Sequence, residues 1–390
     1  MNIEWLVAEN VQETIWLRLK RLTSISLCRK IIQKKHPSLT PDISGKKAND
    51  MSWAVRSALG YWETKSGGLN SQILSRYYAL LQFSMAEQIT SQNPEDDLGS
   101  IQSHTEYGHG LFTIKDEEYF SFPTSYYIGC LKSGHFYEYC KYLGIDLSSL
   151  TFNRRSRSFR EIGSDHHSNL LSLETLLCRV PELHALVGEY FGRNPLSFHI
   201  GYDSIRNQEE KIKKGQGIPI NPFFPKAEIL SSDDNSELEK TFITIYPHGY
   251  NYSLEEIIGS EIPLNNIETG MDILKRDIQF TGTFTHPKGN WGTYLKTYKS
   301  GYSGTSWISP FWGTNDPFLL HLIILYGFSI IVRYLPDLWH RIEDGDLDHI
   351  RAFLEHYLVI VDNVLPKLVV ERLTGTHLLV TQPGSLHSQI

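Results

Sequence analysis

The chain has 390 residues, with 37 lysines and arginines against 44 acidic residues, and a formal net charge of −7. Its 41% hydrophobic and 21% charged residues exclude an intrinsically disordered chain, and the mild acidity excludes a protein that binds polyanions over its whole surface. The 4 cysteines form no C-x-x-C pair, which argues against a zinc ribbon or a disulfide scaffold. Because the N-terminus also has no basic and apolar signal segment, we expect a cytoplasmic protein.

The N-terminal half shows the apolar periodicity of helices. In chain order we predict a basic helix over 10–35, a loop containing SGKKAND (44–50), a helical hairpin over 52–89, a loop over 93–112, and a helical pair over 172–192. The hairpin is joined by a Ser-Gly-Gly turn, and Pro181 suits the first turn of the last helix.

The periodicity then changes to that of strands, which are rich in Thr, Ile and Phe. We predict strands at 197–203, 241–247 and 278–285, with a charged loop at 207–214, a Pro-rich stretch at 219–225 and a short helix at 253–258 between them. The fold class is therefore mainly α (α+β), a helical body with a small β-containing insertion. The predicted domains are 1–194, the aromatic-rich insertion 195–315, and C-terminal helices over 316–390 that pack back on the body.

Two C-terminal helices are predicted over 318–334 and 350–373, with a frayed tail from Thr374. The apolar run 318–332 is shorter than the roughly 20 residues that a membrane span needs, so it indicates a buried helix. Within it, His321 is expected to be a hydrogen-bonded core residue. Arg333, at its end, is expected to pair with a carboxylate or with the last helical carbonyls.

Five segments resemble the YaaC-like family, a group of bacterial proteins. They are ALGYWETKSGGLNSQILSRYYALLQFSMAEQI, the His109-Gly110-Leu111 tripeptide, SLETLLCRVPELHALVGEYF, PFLLHLIILYGFSIIVRYLPDLW and IRAFLEHYLVIVDNVLPKLV. They cover the helical portions, about half of the chain. The first hairpin is also similar to the HEPN superfamily of helical bundles. These resemblances imply a HEPN-like bundle and a role in a bacterial conflict or defence system.

HEPN ribonucleases carry an Arg, then four to six residues, then a His. The His supplies a base near neutral pH for attack by the 2′-hydroxyl, and the Arg holds the phosphate. Arg160 with His166 or His167 fits this spacing, so the resemblance implies these three as catalytic residues. Arg154, Arg155 and Arg157 would hold the RNA backbone. The pairs Arg333–His340 and Arg372–His377 also fit the spacing.

Residues 278–315 contain no acidic residue but interleave cations with aromatic side chains. This pattern suits the stacking of single-stranded bases, and we predict nucleic-acid contacts there. The residues are Lys288, Trp291, Lys296 and Lys299. The competing interpretation is an aromatic-rich loop that folds onto the helical body.

His104, Glu106 and His109 could ligate a metal, but no further ligand is evident from the spacing, so we predict neither a metal nor another cofactor. The function predicted first is an RNA- or nucleotide-interacting component of an antiphage defence system. Whether the protein is an enzyme stays open. If it is one, the expected reaction is metal-independent RNA cleavage. The alternative is a noncatalytic scaffold or binding subunit that docks a partner effector protein. Expected partners are RNA or single-stranded nucleic acid and a partner protein or second copy, with no membrane.

Overall fold

The computed structural model describes residues 2–64, 67–203, 206–207, 209, 237–247, 252–271, 278–289, 291–300 and 304–381. Within them the protein is mainly helical and has three β-sheets, so the predicted mainly α (α+β) class is confirmed. The chain divides into two compact units, Met1–Leu177 with Phe311–Ile390, and Cys178–Pro310. We call them the helical unit and the sheet unit. The predicted boundaries after residues 194 and 315 stay a prediction. Apart from Asn207 and Glu209, the predicted loop 207–214 and Pro-rich stretch 219–225 lie outside the described residues.

The helices are α1 (Val11–Arg21), α2 (Ile25–Lys35), α3 (Pro41–Trp62), α4 (Leu69–Ile89), α5 (Leu98–Glu106), α6 (His135–Tyr142), α7 (Leu173–Leu177), α8 (His184–Phe191), α9 (Leu254–Gly259), α10 (Trp291–Tyr294), α11 (Pro317–Tyr334), α12 (Pro336–Asp344) and α13 (Asp348–Thr374). The strands are β1 (Asn2–Val7), β2 (Leu111–Lys115), β3 (Tyr126–Cys130), β4 (Leu171–Ser172), β5 (Ser197–Tyr202), β6 (Leu238–Pro247), β7 (Asn265–Met271), β8 (Ile278–Pro287), β9 (Tyr298–Ser300), β10 (Gly304–Ile308) and β11 (Thr376–Thr381).

Helix α4 is the centre of the helical unit. Its side chains are buried on nearly every side, and α3, α11 and α13 pack against it. The charged side chain of Arg76 in α4 is tolerated there because its guanidinium binds the Asp362 carboxylate with two hydrogen bonds, of 2.7 and 2.9 Å, and lies 5.2 Å from the centre of the Trp62 ring. The predicted hairpin of α3 and α4 is therefore confirmed, and it forms the core of this unit.

Four local predictions for the helical unit are wrong. The loop predicted over 93–112 contains helix α5, because the Asp97 side chain caps its first turn, and it ends in β2. The single helix predicted over 10–35 is broken at 22–24 into α1 and α2. SGKKAND lies inside α3, because Thr40 caps that helix, Pro41 opens it, and Lys47 and Ala48 turn to its buried side. The tail beyond Thr374 forms β11, which pairs in parallel with β1, while 382–390 lie outside the described residues.

The sheet unit is built on a six-stranded sheet with the order β7-β8-β6-β5-β10-β9. The described pairings are antiparallel. Alternate residues such as Ile243, Ile245 and Phe280 form an apolar core with α9. The strands predicted at 197–203, 241–247 and 278–285 and the short helix near 253–258 are confirmed.

Helix α11 is, among the described residues, the one helix long and apolar enough to cross a membrane, with a mean hydropathy of 1.7. In its 18-residue window 72% of the residues are buried inside the protein, as expected for a core helix. The His321 side chain is fully buried and hydrogen-bonded to the Tyr357 hydroxyl at 3.1 Å, as predicted. All four cysteines are free and buried.

Candidate functional site

The predicted catalytic residues lie on two short 3-10 helices, Phe159–Glu161 and Ser164–Asn169. Arg160 is 74% exposed and pairs with Glu118 at 3.0 Å. His166 is exposed beside Asp165, and the Nε2 atom of His167 contacts the carbonyl oxygen of Ile162 at 3.1 Å. Within the described residues no hydrogen bond or ion pair joins Arg160 to either histidine. Their catalytic assignment therefore stays a prediction.

The neighbouring arginines Arg154, Arg155 and Arg157 are exposed. Arg155 has no ion pair with any described residue. Burial raises the pKa of Tyr326 to about 12, and the guanidinium groups of Arg155 and Arg333 oppose this rise. The assignment of these three arginines to nucleic-acid binding stays a prediction.

The predicted nucleic-acid-binding residues of the sheet unit lie apart from one another in its secondary structure. Trp291 begins α10 and packs against the apolar core, and Lys299 is a half-buried residue of β9. Lys288 and Lys296 are exposed. Since the Trp291 ring is partly occupied by core contacts, only a part of it is free to stack on a base, and the prediction stays untested.

In the helical unit, tyrosine side chains and an arginine gather around His109, and we take this cluster as the candidate site. A tight loop presents this residue, with positive φ angles of 90° at Gly108 and 79° at Gly110. The carbonyl oxygens of Gly108 and His109 accept hydrogen bonds from the backbone N–H groups of His135 and Phe136, at 3.1 and 3.0 Å. The backbone is thereby held at the start of α6, and the imidazole faces α4 and α11.

Tyrosine rings from both helices surround the imidazole. The centroid of the His109 ring lies 5.5 Å from that of Tyr77 and 6.2 Å from that of Tyr326. The Tyr77 ring in turn lies 5.4 Å from the Tyr78 ring. Tyr77 and Tyr326 are buried, and the Tyr326 hydroxyl donates a 2.6 Å hydrogen bond to the Leu111 carbonyl oxygen.

Arg333 completes the cluster at the end of α11. Its Nε atom donates to the Ser329 carbonyl oxygen at 3.0 Å, and its terminal nitrogens donate to the Ser329 and Tyr78 hydroxyls at 3.2 and 3.0 Å. The expected bond to a helical carbonyl is confirmed. The expected carboxylate is not found among the residues the structure describes, so Arg333 is a half-buried cation held only by neutral groups. We call His109, Tyr77, Tyr78, Tyr326 and Arg333 the His109 cluster.

The cluster is open at one end. The Tyr61 ring stacks on Tyr78 with 5.4 Å between centroids, and the Tyr334 ring lies 5.0 Å from the Arg333 guanidinium carbon. Tyr61 is 41% exposed and Tyr334 is 65% exposed. The exposed rings of Tyr61 and Tyr334 therefore border the half-buried guanidinium of Arg333 on its solvent side.

The electrostatics of the cluster favour an anion. Burial and the positive charge of Arg333 lower the pKa of His109, so the imidazole is neutral at pH 7. No described carboxylate contributes to the shifted pKa values of Tyr77, His109 or Tyr326. The Nδ1 atom of His109 has no hydrogen-bond partner. Arg333 is thus a half-buried cation that has no carboxylate partner among the described residues.

A metal site at His104, Glu106 and His109 was one interpretation of the sequence. Among the described residues no group of three His, Cys, Asp or Glu side chains is arranged to hold a metal ion. His135, the buried histidine nearest in the chain to this loop, instead contacts the Ser84 hydroxyl through Nε2 at 2.7 Å.

Sequence reasoning treated His109 and Arg333 separately and did not foresee their common site. Both lie in segments that carry the family resemblance, and Tyr77 and Tyr78 lie in a third such segment. The family resemblance that these three segments share was the one signal in the sequence that could have linked the residues of this site. Arg372 and His377, another pair with the ribonuclease spacing, contact acidic residues instead of each other.

Replacing Gly134 with alanine should damage the loop that holds His109. A Cβ atom there would lie 2.5 Å from the Gly110 nitrogen, and the φ angle of 101° is strained for alanine. We expect a loss of about 2 kcal/mol or more in the free energy of unfolding, measured by urea denaturation. Gly144→Ala is the matched control. Its φ is +74°, but no atom lies within 4 Å of the added Cβ, so it should lose only about 1 kcal/mol. Equal losses would contradict the predicted clash.

One comparison with known proteins gives a match. A family model described as YaaC-like Protein matches residues 20–373 of this chain. The matched range includes residues of both units and is wider than the half of the chain on which the sequence resemblance rests. No curated protein and no solved structure matches the chain.

Proposed function

Because the chain belongs to the YaaC-like family, we propose that it is an RNA- or nucleotide-interacting component of a bacterial antiphage defence or conflict system. The observation that supports this proposal is the His109 cluster, where the half-buried Arg333 has no described carboxylate partner and lies beside tyrosine rings. The defence role comes from the family resemblance, and the binding role comes from the chemistry of the cluster.

Single-stranded nucleic acids present two groups that such a site can recognise. Their phosphates pair with guanidinium groups, and their bases stack on aromatic side chains. In the helical unit Arg333 supplies the first interaction, and the exposed Tyr61 and Tyr334 supply the second. Arg154, Arg155 and Arg157 are neighbours in the chain, and all three are exposed and add positive charge to the surface of this unit.

Binding is tested with a fluorescent single-stranded RNA of mixed sequence, by anisotropy at several salt concentrations. We expect Arg333→Gln to weaken binding about tenfold or more, because a charge-assisted hydrogen bond contributes about 1.5–3 kcal/mol. Arg351→Gln is the matched control, since this exposed arginine of α13 is paired with acidic side chains. The same affinity for wild type and Arg333→Gln, or no binding by wild type, would contradict the proposal.

Metal-independent RNA cleavage is a separate proposal within this function. His166 or His167 would act as acid and base, Arg160 would bind the phosphate, and products would carry 2′,3′-cyclic phosphate ends. The assay uses RNA with EDTA present. Cleavage that persists after Arg160, His166 and His167 are all replaced with alanine would refute this assignment.

A scaffold is the second candidate function, and the β1–β11 sheet favours it. Trp5 and Val7 of β1 are 57% and 59% exposed, which leaves an apolar surface on a two-stranded sheet. A protein that co-purifies with wild type but not with Trp5→Ser, together with no RNA binding, would favour this function.

A further inference from the structure

We propose that an exposed basic face of α2 and α3 binds the same RNA strand as the His109 cluster, with phosphates on its cations and a base on the Trp53 ring. This inference rests on the proposed function, because it extends the binding site of that function along the strand. The ligand is therefore a single-stranded RNA of several nucleotides. The basic face consists of Arg21, Arg29, Lys30, Lys34, Trp53 and Arg56.

Unbalanced positive charge is the first argument. Residues 14–41 contain no Asp or Glu. Three basic side chains in this range, Arg18, Lys20 and Lys35, bind carboxylates or backbone carbonyl oxygens. A polyanion such as RNA complements the remaining charge. The other four basic residues are exposed and form no ion pair with any residue that the structure describes, and they are Arg21, Arg29, Lys30 and Lys34.

Contacts between α2 and α3 place these cations beside α3. A terminal nitrogen of Arg29 donates a 3.2 Å hydrogen bond to the carbonyl oxygen of Pro41, the first residue of α3. Near the other end of α3, Arg56 donates two hydrogen bonds, of 3.2 and 2.8 Å, to the carbonyl oxygen of Thr23, just before α2. The two helices therefore run side by side in opposite directions. Arg56 is itself exposed and adds a further cation to the basic face.

The ring of Trp53 is the second argument, because it offers a surface to a base. Trp53 precedes Arg56 by three residues, so the two side chains are neighbours on the surface of α3. The Trp53 side chain is 58% exposed. Asp50, the acidic residue of α3 nearest to it in the chain, is half-buried and already accepts a hydrogen bond from the Leu98 N–H at 3.2 Å. An exposed indole beside an unpaired cation suits a stacked base and its phosphate.

Helix α3 also connects the basic face with the His109 cluster. Tyr61, which stacks on Tyr78 at the open end of the cluster, follows Trp53 by eight residues, or about 12 Å along the helix axis. Between the two rings Ser57 and Gly60 are exposed. Apart from the backbone of its own helix and its chain neighbours, no atom lies within 4 Å of a Cβ atom placed on Gly60. At the 3.4 Å spacing of stacked nucleotides, about four nucleotides would cover this distance.

Anisotropy with a fluorescent single-stranded RNA of about 12 nucleotides, which is longer than the distance between the two rings, tests the role of Trp53. We expect Trp53→Ala to weaken binding about tenfold, because stacking of one base on an aromatic ring contributes about this factor. Trp5→Ala is the matched control, since this tryptophan of β1 is 57% exposed but lies outside the basic face. Equal affinities of the wild type and Trp53→Ala would overturn the inference.

The salt dependence of binding tests the lysines. Lys30→Gln combined with Lys34→Gln removes two exposed cations. We expect the slope of the logarithm of the binding constant against that of the salt concentration to become shallower by about 1.4, since each phosphate contact of a single strand contributes about 0.7. Arg341→Gln combined with Arg351→Gln is the matched control and should keep the slope, because acidic side chains already balance these two cations. An unchanged slope in the lysine variant would also overturn the inference.

Two further probes separate the ligand classes. A duplex RNA of the same length offers phosphates but no free base, so Trp53→Ala should leave its binding unchanged. The inference is wrong if Trp53→Ala weakens duplex and single-strand binding equally. It is also wrong if the lysine variant loses binding to phosphatidylserine vesicles and keeps full binding to RNA.

The Arg333→Gln variant distinguishes failure of this inference from failure of the proposed function. If Arg333→Gln weakens RNA binding while the Trp53 and lysine variants bind as the wild type does, the inference is wrong and the proposed function stands. If the wild type binds no RNA, both are wrong.

Discussion

Replacing Arg372 with methionine should lower the free energy of unfolding of the helical unit by about 3–5 kcal/mol, because it leaves two carboxylates without their cation. The Arg372 guanidinium bonds to Glu87 at 2.8 Å and to Asp316 at 2.6 Å, and it donates to the Tyr139 hydroxyl at 3.1 Å. Tyr139 in turn donates to Glu87 at 2.6 Å. These residues join α13, α4, α6 and the start of α11.

Burial makes this network costly to break. The side chains of Arg372, Glu87 and Asp316 are 15%, 12% and 21% exposed. Few water molecules can therefore replace the lost guanidinium. Asp316 also caps α11 by accepting a hydrogen bond from the Leu319 N–H, so its repulsion from Glu87 would loosen the start of that helix.

Urea denaturation followed by far-ultraviolet circular dichroism measures the loss. Arg341→Met is the matched control, because Arg341 also makes a two-bonded pair, with Asp346, but at the surface. That variant should lose less than about 1 kcal/mol. Adding Glu87→Gln to Arg372→Met should recover part of the loss, since it removes the more buried carboxylate. Similar losses for Arg372→Met and Arg341→Met would contradict the prediction.

Mild acid should destabilise the helical unit by about 3 kcal/mol between pH 6.5 and pH 5, in addition to any general acid effect. Burial lowers the pKa of His135 and of His321 from 6.5 to about 3, and His109 and His104 add to the shift at His135. Between these values the unfolded chain binds protons that the folded chain does not. The stability that the neutral imidazoles of His135 and His321 contribute is therefore fully present above pH 6.5. It decreases as the pH falls below this value.

The size of the expected loss in the free energy of unfolding follows from the width of the pH interval. Each histidine contributes up to about 1.36 kcal/mol per pH unit. Over these 1.5 units the contribution is about 1.6 kcal/mol, because the unfolded imidazole is only half protonated at pH 6.5. The measurement is the free energy of unfolding in urea at pH 7, 6 and 5. Replacing His135 and His321 with glutamine should flatten this dependence, whatever the change in stability at pH 7. The exposed His340→Gln is the control and should retain the full slope. An unchanged slope in the double variant would refute the prediction.

Local sequence patterns predicted much of the secondary structure. The hairpin of α3 and α4, the apolar helix α11 and the strands β5, β6 and β8 follow periods of 3.6 or 2 residues that each segment carries by itself. The errors arose where neighbours in space override local signals. SGKKAND is helical because Lys47 reaches the carbonyl oxygens of Ile89 and Asp96, at 3.0 and 2.9 Å. The tail forms a strand because β1 pairs with it.

The sequence alone therefore determined the mainly α class, the strand-rich middle and the buried nature of α11, because hydrophobic periodicity is a local property. Only the tertiary structure decided where the chemistry lies. Arg333 bonds to a tyrosine 255 positions away in the chain, and His109 meets both helices through a loop fixed at α6. No spacing rule relates residues so far apart, since packing of α4 against α11 sets their distance. Tertiary contacts likewise place Arg160 beside Glu118, which lies 42 positions earlier in the chain.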